Sequence, residues 1–234
     1  HFTTGYVSDR GRSVFYWSNS YSKSSFFANA HGLKPVRVDT DLHDASNRDV
    51  LLPYQEVNHF KVINRSEYYL PGNKLEMDVG YQRNFRQEYS KYVSHGSMPS
   101  KYPAGMPVSS DLELAFKKHT YSVNLRDHVS LRKHTLTTGV HAEHQDNDIG
   151  GWGFLIPAFK QDLTGAYIYD KFKLNDHVLI HGALRYDHGQ IRVSKYTDWF
   201  AIDAQKITRA ENLTRIFNSL VWSIGLNYNR DKFS

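Results

Sequence analysis

Between Lys74 and Ser90 the chain reads KLEMDVGYQRNFRQEYS. One alternate set, Leu75, Met77, Val79, Tyr81, Arg83, Phe85, Gln87 and Tyr89, is mostly apolar and aromatic. The other, Glu76, Asp78, Gly80, Gln82, Asn84, Arg86 and Glu88, is wholly polar or glycine. Strict period-2 alternation describes a strand with two unlike faces. The run is about sixteen residues long, where an ordinary strand has about five or six. Few folds need so long a strand with so polar a second face.

The same alternation recurs along the chain. In 176–187, Val178, Ile180, Gly182, Leu184 and Tyr186 oppose His177, His181, Arg185 and Asp187. Near the end, Ile216, Leu220, Trp222, Ile224, Leu226 and Tyr228 oppose Ser219, Ser223, Asn227 and Asn229. In 131–144, Leu136, Val140 and Ala142 oppose Thr135, His141 and Glu143. Weaker versions occupy 57–70, 113–126 and 159–173, where Gly165, Tyr167 and Tyr169 stand against Thr164, Ala166 and Asp170. Strands are also expected over 2–8 and 12–20, which makes about nine in all, with little helix.

Turn chemistry separates these runs. Short connections fall at Asp9-Arg10-Gly11, Pro71-Gly72-Asn73, Asp127–Ser130 and Leu174-Asn175-Asp176. Long ones fall at 21–55, 91–110, 147–158 and 191–214. Followed up and down, every short turn lies at one end of the sheet and every long loop at the other. That sorting, with the strand length, predicts an all-β, antiparallel up-and-down transmembrane β-barrel, its apolar faces on lipid and its polar faces on a wet lumen. A soluble antiparallel β-sheet binding module, sandwich or lipocalin-like barrel, also alternates and is the other reading.

Composition narrows the choice. Mean hydropathy is −0.59, and no apolar run reaches the about eighteen residues of a transmembrane helix; a barrel needs only alternate apolar positions. The net charge is +5, with bases scattered among acids, so no basic block points to nucleic acid. The 234 residues include no cysteine, which excludes a disulfide scaffold and a thiolate zinc site. The chain opens His1-Phe2-Thr3, without signal peptide or initiator Met, as a mature protein or an excised piece would. No nucleophile elbow, Ser-His-Asp arrangement or metal-hydrolase signature is present, so no enzyme is expected.

Two stretches carry a family likeness. SNRDVLLPYQEVNHFKVINRSEYYL (46–70) followed by LEMDVGYQRNFRQEYS (75–90) resembles the barrel of TonB-dependent outer-membrane receptors, especially Bacteroidetes-type iron or siderophore receptors. GWGFLIPAFKQDLTGAYIYDKF (151–172) followed by LIHGALRYDHGQI (179–191) does so too, and GALRYD (182–187) is its most typical piece. The likeness implies a 22-stranded barrel enclosing a plug, import of a scarce ligand such as a ferric siderophore, and energy delivered by TonB through the plug. It implies residence in the outer membrane of a Gram-negative bacterium. Residues 1–234 hold neither a plug nor a TonB box, and nine is an odd count for a complete bacterial barrel. The expectation is one internal barrel segment whose partners are outer-membrane lipid, the rest of the barrel, its plug and an iron chelate.

Candidate ligand residues follow from chemistry and place. The loop 31–49 is rich in hard oxygen and imidazole donors, among them His31, Asp41, His43 and Asp44, and would suit a metal chelate or a bound Ca²⁺. Solvation of an extracellular loop explains the same residues. Tyr92 and His95 follow the opening strand, and stacking with charge would suit an anionic chelate there. An interfacial aromatic girdle is the competing reading. His141 and His144 are candidates for an iron or haem contact near the mouth, on opposite strand faces, and Trp152 for an aromatic contact in the third long loop. No resident cofactor is expected.

Overall fold

A computed structural model describes residues 1–25, 50, 52–202 and 205–229. Among them there is no helix. Eleven strands are present: β1 Phe2–Ser8, β2 Gly11–Ser25, β3 Tyr54–Leu70, β4 Asn73–Tyr89, β5 Leu112–Leu131, β6 His134–Gly150, β7 Phe159–Lys173, β8 Val178–Val193, β9 Tyr196–Ile202, β10 Gln205–Ala210 and β11 Leu213–Tyr228. Nine form one antiparallel sheet in the order β1-β2-β3-β4-β5-β6-β7-β8-β11, each strand beside its neighbour in the chain apart from the β9–β10 hairpin, which sits in the last long connection. This is an up-and-down meander, as the alternation requires.

The opening stretch is β4, 17 residues long, or about 55 Å at the usual rise. A hydrocarbon layer about 30 Å thick needs only about nine to eleven strand residues. A strand crossing such a layer would project past one side of it, and the long loops all lie at one end of the sheet. Short turns join β1–β2, β3–β4, β5–β6 and β7–β8 at the other end.

The faces are inside out relative to a soluble sheet. Leu75, Met77 and Val79 on β4 are about two fifths exposed, and Leu220, Trp222 and Ile224 on β11 reach 65%, 71% and 74%. Between them on β4, Glu76 and Asp78 are half-buried and Gly80 is buried. Among the described residues the buried hydrophobic side chains are Trp152 and Phe200, neither on the nine-stranded sheet. A sandwich would bury the alternate apolar rows against a second sheet; here they cover the outside.

The upper edge of the apolar face is slanted. Arg83, His119, Asp146, Lys160 and Arg192 stand side by side in register across β4 to β8. The first polar residue above the apolar band is Arg83 on β4, His119 on β5, His144 on β6, Thr164 on β7 and His188 on β8. Measured against that row, the edge drops four residues (Arg192 to His188) in four strand steps. Strands about 4.8 Å apart, tilted about 35–45° to a membrane, require about 1 to 1.5 residues per step. Arg83, the one charge on the otherwise apolar face of β4, therefore sits at the band's edge. Its guanidinium donates to Asn58 Oδ1 at 2.9 Å. Along that edge runs an aromatic row, Trp17–Phe60–Tyr81–Tyr121–His144, with neighbouring ring centroids 5.1 to 6.3 Å apart, a pattern that suits a membrane interface.

Three expectations shift. The β5–β6 turn is not at 127–130: the alternation carries β5 on through Val129 to Leu131, and Arg132 takes the turn with φ 48°. The long connection 191–214 is not open loop, because β9 and β10 pair within it. On β7 the tyrosines face the lumen, and Thr164, Ala166 and Ile168 lie on the outer side with Val140 and Tyr186. Gly139 explains that choice: it lies opposite Tyr167, and a Cβ there would stand 2.5 Å from the ring.

Candidate functional site at the loop end and lumen wall

At the long-loop end three connections close on one another. Trp152 N–H donates to Leu112 O at 3.1 Å and Gly153 N–H to Glu113 O at 2.8 Å, tying the β6–β7 loop to the start of β5. Gly151 makes that approach possible, with φ 94° and no room for a Cβ beside the Glu113 carbonyl. Ser194 N–H donates to Ala158 O at 2.9 Å and ties in the third loop. The space between them is filled with rings. Tyr92 lies 5.2 Å from Tyr102, 5.1 Å edge-on from Trp152 and 6.2 Å from Trp199. Trp199 Nε1 donates to Trp152 O at 2.7 Å, and Phe200 packs against Trp199. The phenols donate to backbone carbonyls, Tyr92 to Pro99 and Tyr102 to Val108.

The β9–β10 hairpin adds an ion pair to this layer. Asp198 is 4% exposed, and Arg209 Nε donates to its Oδ2 at 2.8 Å. Tyr196 stacks on Phe154 at 4.4 Å. Burial raises the Tyr196 phenol above its ordinary range, the Asp198 carboxylate adds to the rise, and Arg209 opposes it. Burial raises Tyr92 and Tyr102 in the same direction. All three stay neutral donors at any physiological pH.

Below the loops the inward face is a polar wall. Asp78 accepts from Arg65 at 2.7 Å and Arg126 at 2.6 Å. Glu76 is paired with Lys74 at 2.5 Å and Arg126 at 3.0 Å, and Glu67 with Arg12 at 2.6 Å. Lys74–Glu76 lies within β4; the other pairs cross strands and brace the sheet on its inward face.

The expected ligand residues do not form one site. Tyr92 and Trp152 meet in the loop layer, with Trp152 at its buried centre. His95 is exposed on the turn of the same loop, where its carbonyl accepts from Met98 N–H. His141 faces the lumen beside Arg185 and Asp187. His144 faces outward and holds Asp162 Oδ1 at 2.6 Å, next to Arg192 at 2.6 Å from the other oxygen. His31, Asp41, His43 and Asp44 lie outside the described residues. Trp199, Phe200, Asp198 and Arg209 were missed. The run of aromatic and β-branched residues in YTDWFAI is the signal for the first three of these, inside the connection expected over 191–214. Among the described residues no group of three His, Asp or Glu could hold a metal ion.

No family model and no curated protein matches this sequence. Solved structures do. The chain is similar to the closed form of the ferric-catecholate import receptor Fiu from E. coli K12, at 13% identity and a TM-score of 0.58, over 95% of this chain and 39% of that one. Against the open form of Fiu it has 12% identity and a TM-score of 0.57, covering 95% and 43%. Against the copper transporter OprC the values are 11% and 0.51, covering 94% and 39%. At these identities the likeness is one of fold: the nine-stranded meander matches part of the barrel of such receptors. The chain spans less than half the length of the solved receptors it matches.

Proposed function

We propose that this chain is a barrel segment of a TonB-dependent outer-membrane receptor, of the Bacteroidetes iron type its sequence resembles, which binds a ferric siderophore or similar metal chelate at its outer loops for import. The observation that carries this reading is the inside-out sheet, an outward apolar band slanted as tilted barrel strands demand, capped at one end by a braced aromatic loop layer. Lipid covers the band, and the rest of the barrel and a plug complete the molecule. TonB acts through that plug. The chain's own part is binding and passage, without catalysis. Tyr92, His95, Trp152 and the loop carrying His31, Asp41, His43 and Asp44 serve the mouth, and His141 the lumen below it. His144, on the outer face, serves the membrane boundary instead. The carboxylates of loop 31–49 offer the oxygen donors that a bound Ca²⁺ takes.

The test is uptake of radioactive iron by iron-starved cells expressing the full-length receptor. Shortening the loop 31–49 is expected to cut uptake severalfold while the receptor level in the outer membrane stays constant. Unchanged uptake removes that loop from the ligand site.

A further inference from the structure

The four short turns differ in charge. Asp9 and Arg10 at β1–β2 carry both signs, Pro71 and Gly72 at β3–β4 carry none, and at β7–β8 Lys173 pairs with Asp176 at 2.7 Å. The β5–β6 turn reads Arg132-Lys133, two cations with no acid beside them. Both are exposed, and neither makes an ion pair among the described residues. Carboxylates towards the same end are engaged elsewhere. Asp170 holds His134 Nδ1 at 2.6 Å, Glu76 is paired with Lys74 and Arg126, and Asp127 accepts from Asn73 Nδ2 at 3.5 Å.

The backbone is strained to put a cation at this tip. Leu131 and His134 are register partners, so Arg132 and Lys133 form a two-residue hairpin turn. Arg132 has φ 48°, in the left-handed region. Glycine or asparagine takes such a turn position at less cost. The tip is also held in place. Ser130 N–H donates to Gly72 O at 3.3 Å and Lys173 N–H to Lys133 O at 2.7 Å, which ties it to the turns on either side. Lys133 Nζ donates to Leu174 O at 3.2 Å and keeps its other ammonium hydrogens free.

Height places the tip at a membrane surface. On β5 the first polar residue above the apolar band is His119, and Leu131 lies twelve residues further on. Such a length of strand covers about 40 Å, or about 28–33 Å along the membrane normal at a tilt of about 35–45°. The hydrocarbon is about 30 Å thick, so Arg132 and Lys133 emerge at the phosphate level of the far leaflet. Leu131 precedes them on the outward side and is 55% exposed. An apolar foot beneath cations is how interfacial segments hold lipid.

We propose that the Arg132–Lys133 turn is an anchor for anionic phospholipid: its two cations bind lipid phosphates in the leaflet at the short-turn end, while Leu131 packs on the acyl chains. The anchor rests on the barrel reading above, and in that barrel the leaflet is the periplasmic one. Charge selects the lipid. With no acid at the tip, a net negative headgroup is attracted, and a zwitterionic one, which brings its own ammonium, much less. The backbone bonds to both neighbouring turns hold the site ready, so binding meets little ordering cost.

The test is urea unfolding of the full-length protein in vesicles of phosphatidylcholine, alone or mixed with phosphatidylglycerol, at low salt. The folding equilibrium of the wild type should rise when phosphatidylglycerol is added. Arg132→Gly with Lys133→Gln should reduce that gain about 25-fold, about fivefold for each charge. In phosphatidylcholine alone this variant should be no less stable than the wild type, because glycine relieves the turn. Arg132→Lys with Lys133→Arg should keep the gain, and high salt should shrink it. Equal gains in the wild type and the Gly–Gln variant overturn the anchor and leave the barrel standing. A Gly–Gln variant weakened by the same factor in both vesicles makes the turn a structural brace and overturns the anchor too. Wild-type protein that folds in neither vesicle overturns the barrel reading and the anchor with it.

Discussion

Val79 and Ile224 show what a single position does here. Both are apolar, both point outward, and Ile224 is 74% exposed. In a soluble protein such exposure would be a liability; in the proposed barrel it is the stable state, because lipid would take the place of a core. Val79→Asp and Ile224→Asp are each expected to weaken barrel assembly by about 1–2 kcal/mol, since an acidic side chain costs less than the about 2–4 kcal/mol of Arg or Lys at the midplane. Urea unfolding of the full-length protein in lipid vesicles measures this. Two variants as stable as the parent would mean that the outward face is assigned wrongly. The same substitution at Arg83, already at the polar edge of the band, should cost far less.

The β9–β10 hairpin is an element with its own pH limit. Its Tyr196 is half-buried, and the phenol is raised by burial and by Asp198. A phenol raised in the folded state stabilises fully below its unfolded value, about 10, and that stability is lost as pH rises through the higher folded value. Trp199 and Trp152 sit in the same layer and report on it. Raising the pH above about 10 should change tryptophan fluorescence and detach the hairpin before the long strands melt. A fluorescence change that coincides with loss of β-sheet circular dichroism would show that the layer has no separate stability. Replacing Tyr196 with Phe should move the alkaline transition upward.

At the scale of the whole molecule, the sheet has an outer surface suited to lipid and an inner surface braced by cross-strand ion pairs. If the proposed barrel reading holds, the full-length protein should be monodisperse and rich in β-sheet signal only in detergent or lipid. A folded monomer in plain buffer would mean that the apolar rows are buried against each other, and the soluble binding module would replace the barrel.

Period-2 patterning determined the nine strands of the main sheet, their meander order and most of their faces, because each strand carries one apolar and one polar row and a one-residue slip would exchange them. Turn residues determined which end carries the long loops. What patterning left open were places where neighbours decide. The aromatic face of β7 turned inward because Gly139 and Gly165, on adjacent rungs, leave space there for Tyr167 and His141. The β5–β6 turn slid past Asp127 and Ser130 because pairing with β4 and β6 holds Val129 and Leu131 in the sheet. The loop layer was illegible for a different reason. Tyr92, Trp152 and Trp199 are 47 to 107 residues apart in sequence, and only the closure of three loops over one end of the sheet brings their rings together. Local alternation is a statement about each strand's two solvents, and it survives without knowledge of the rest. A site assembled from several loops depends on where the strands beneath them stand, and tertiary structure alone decides that.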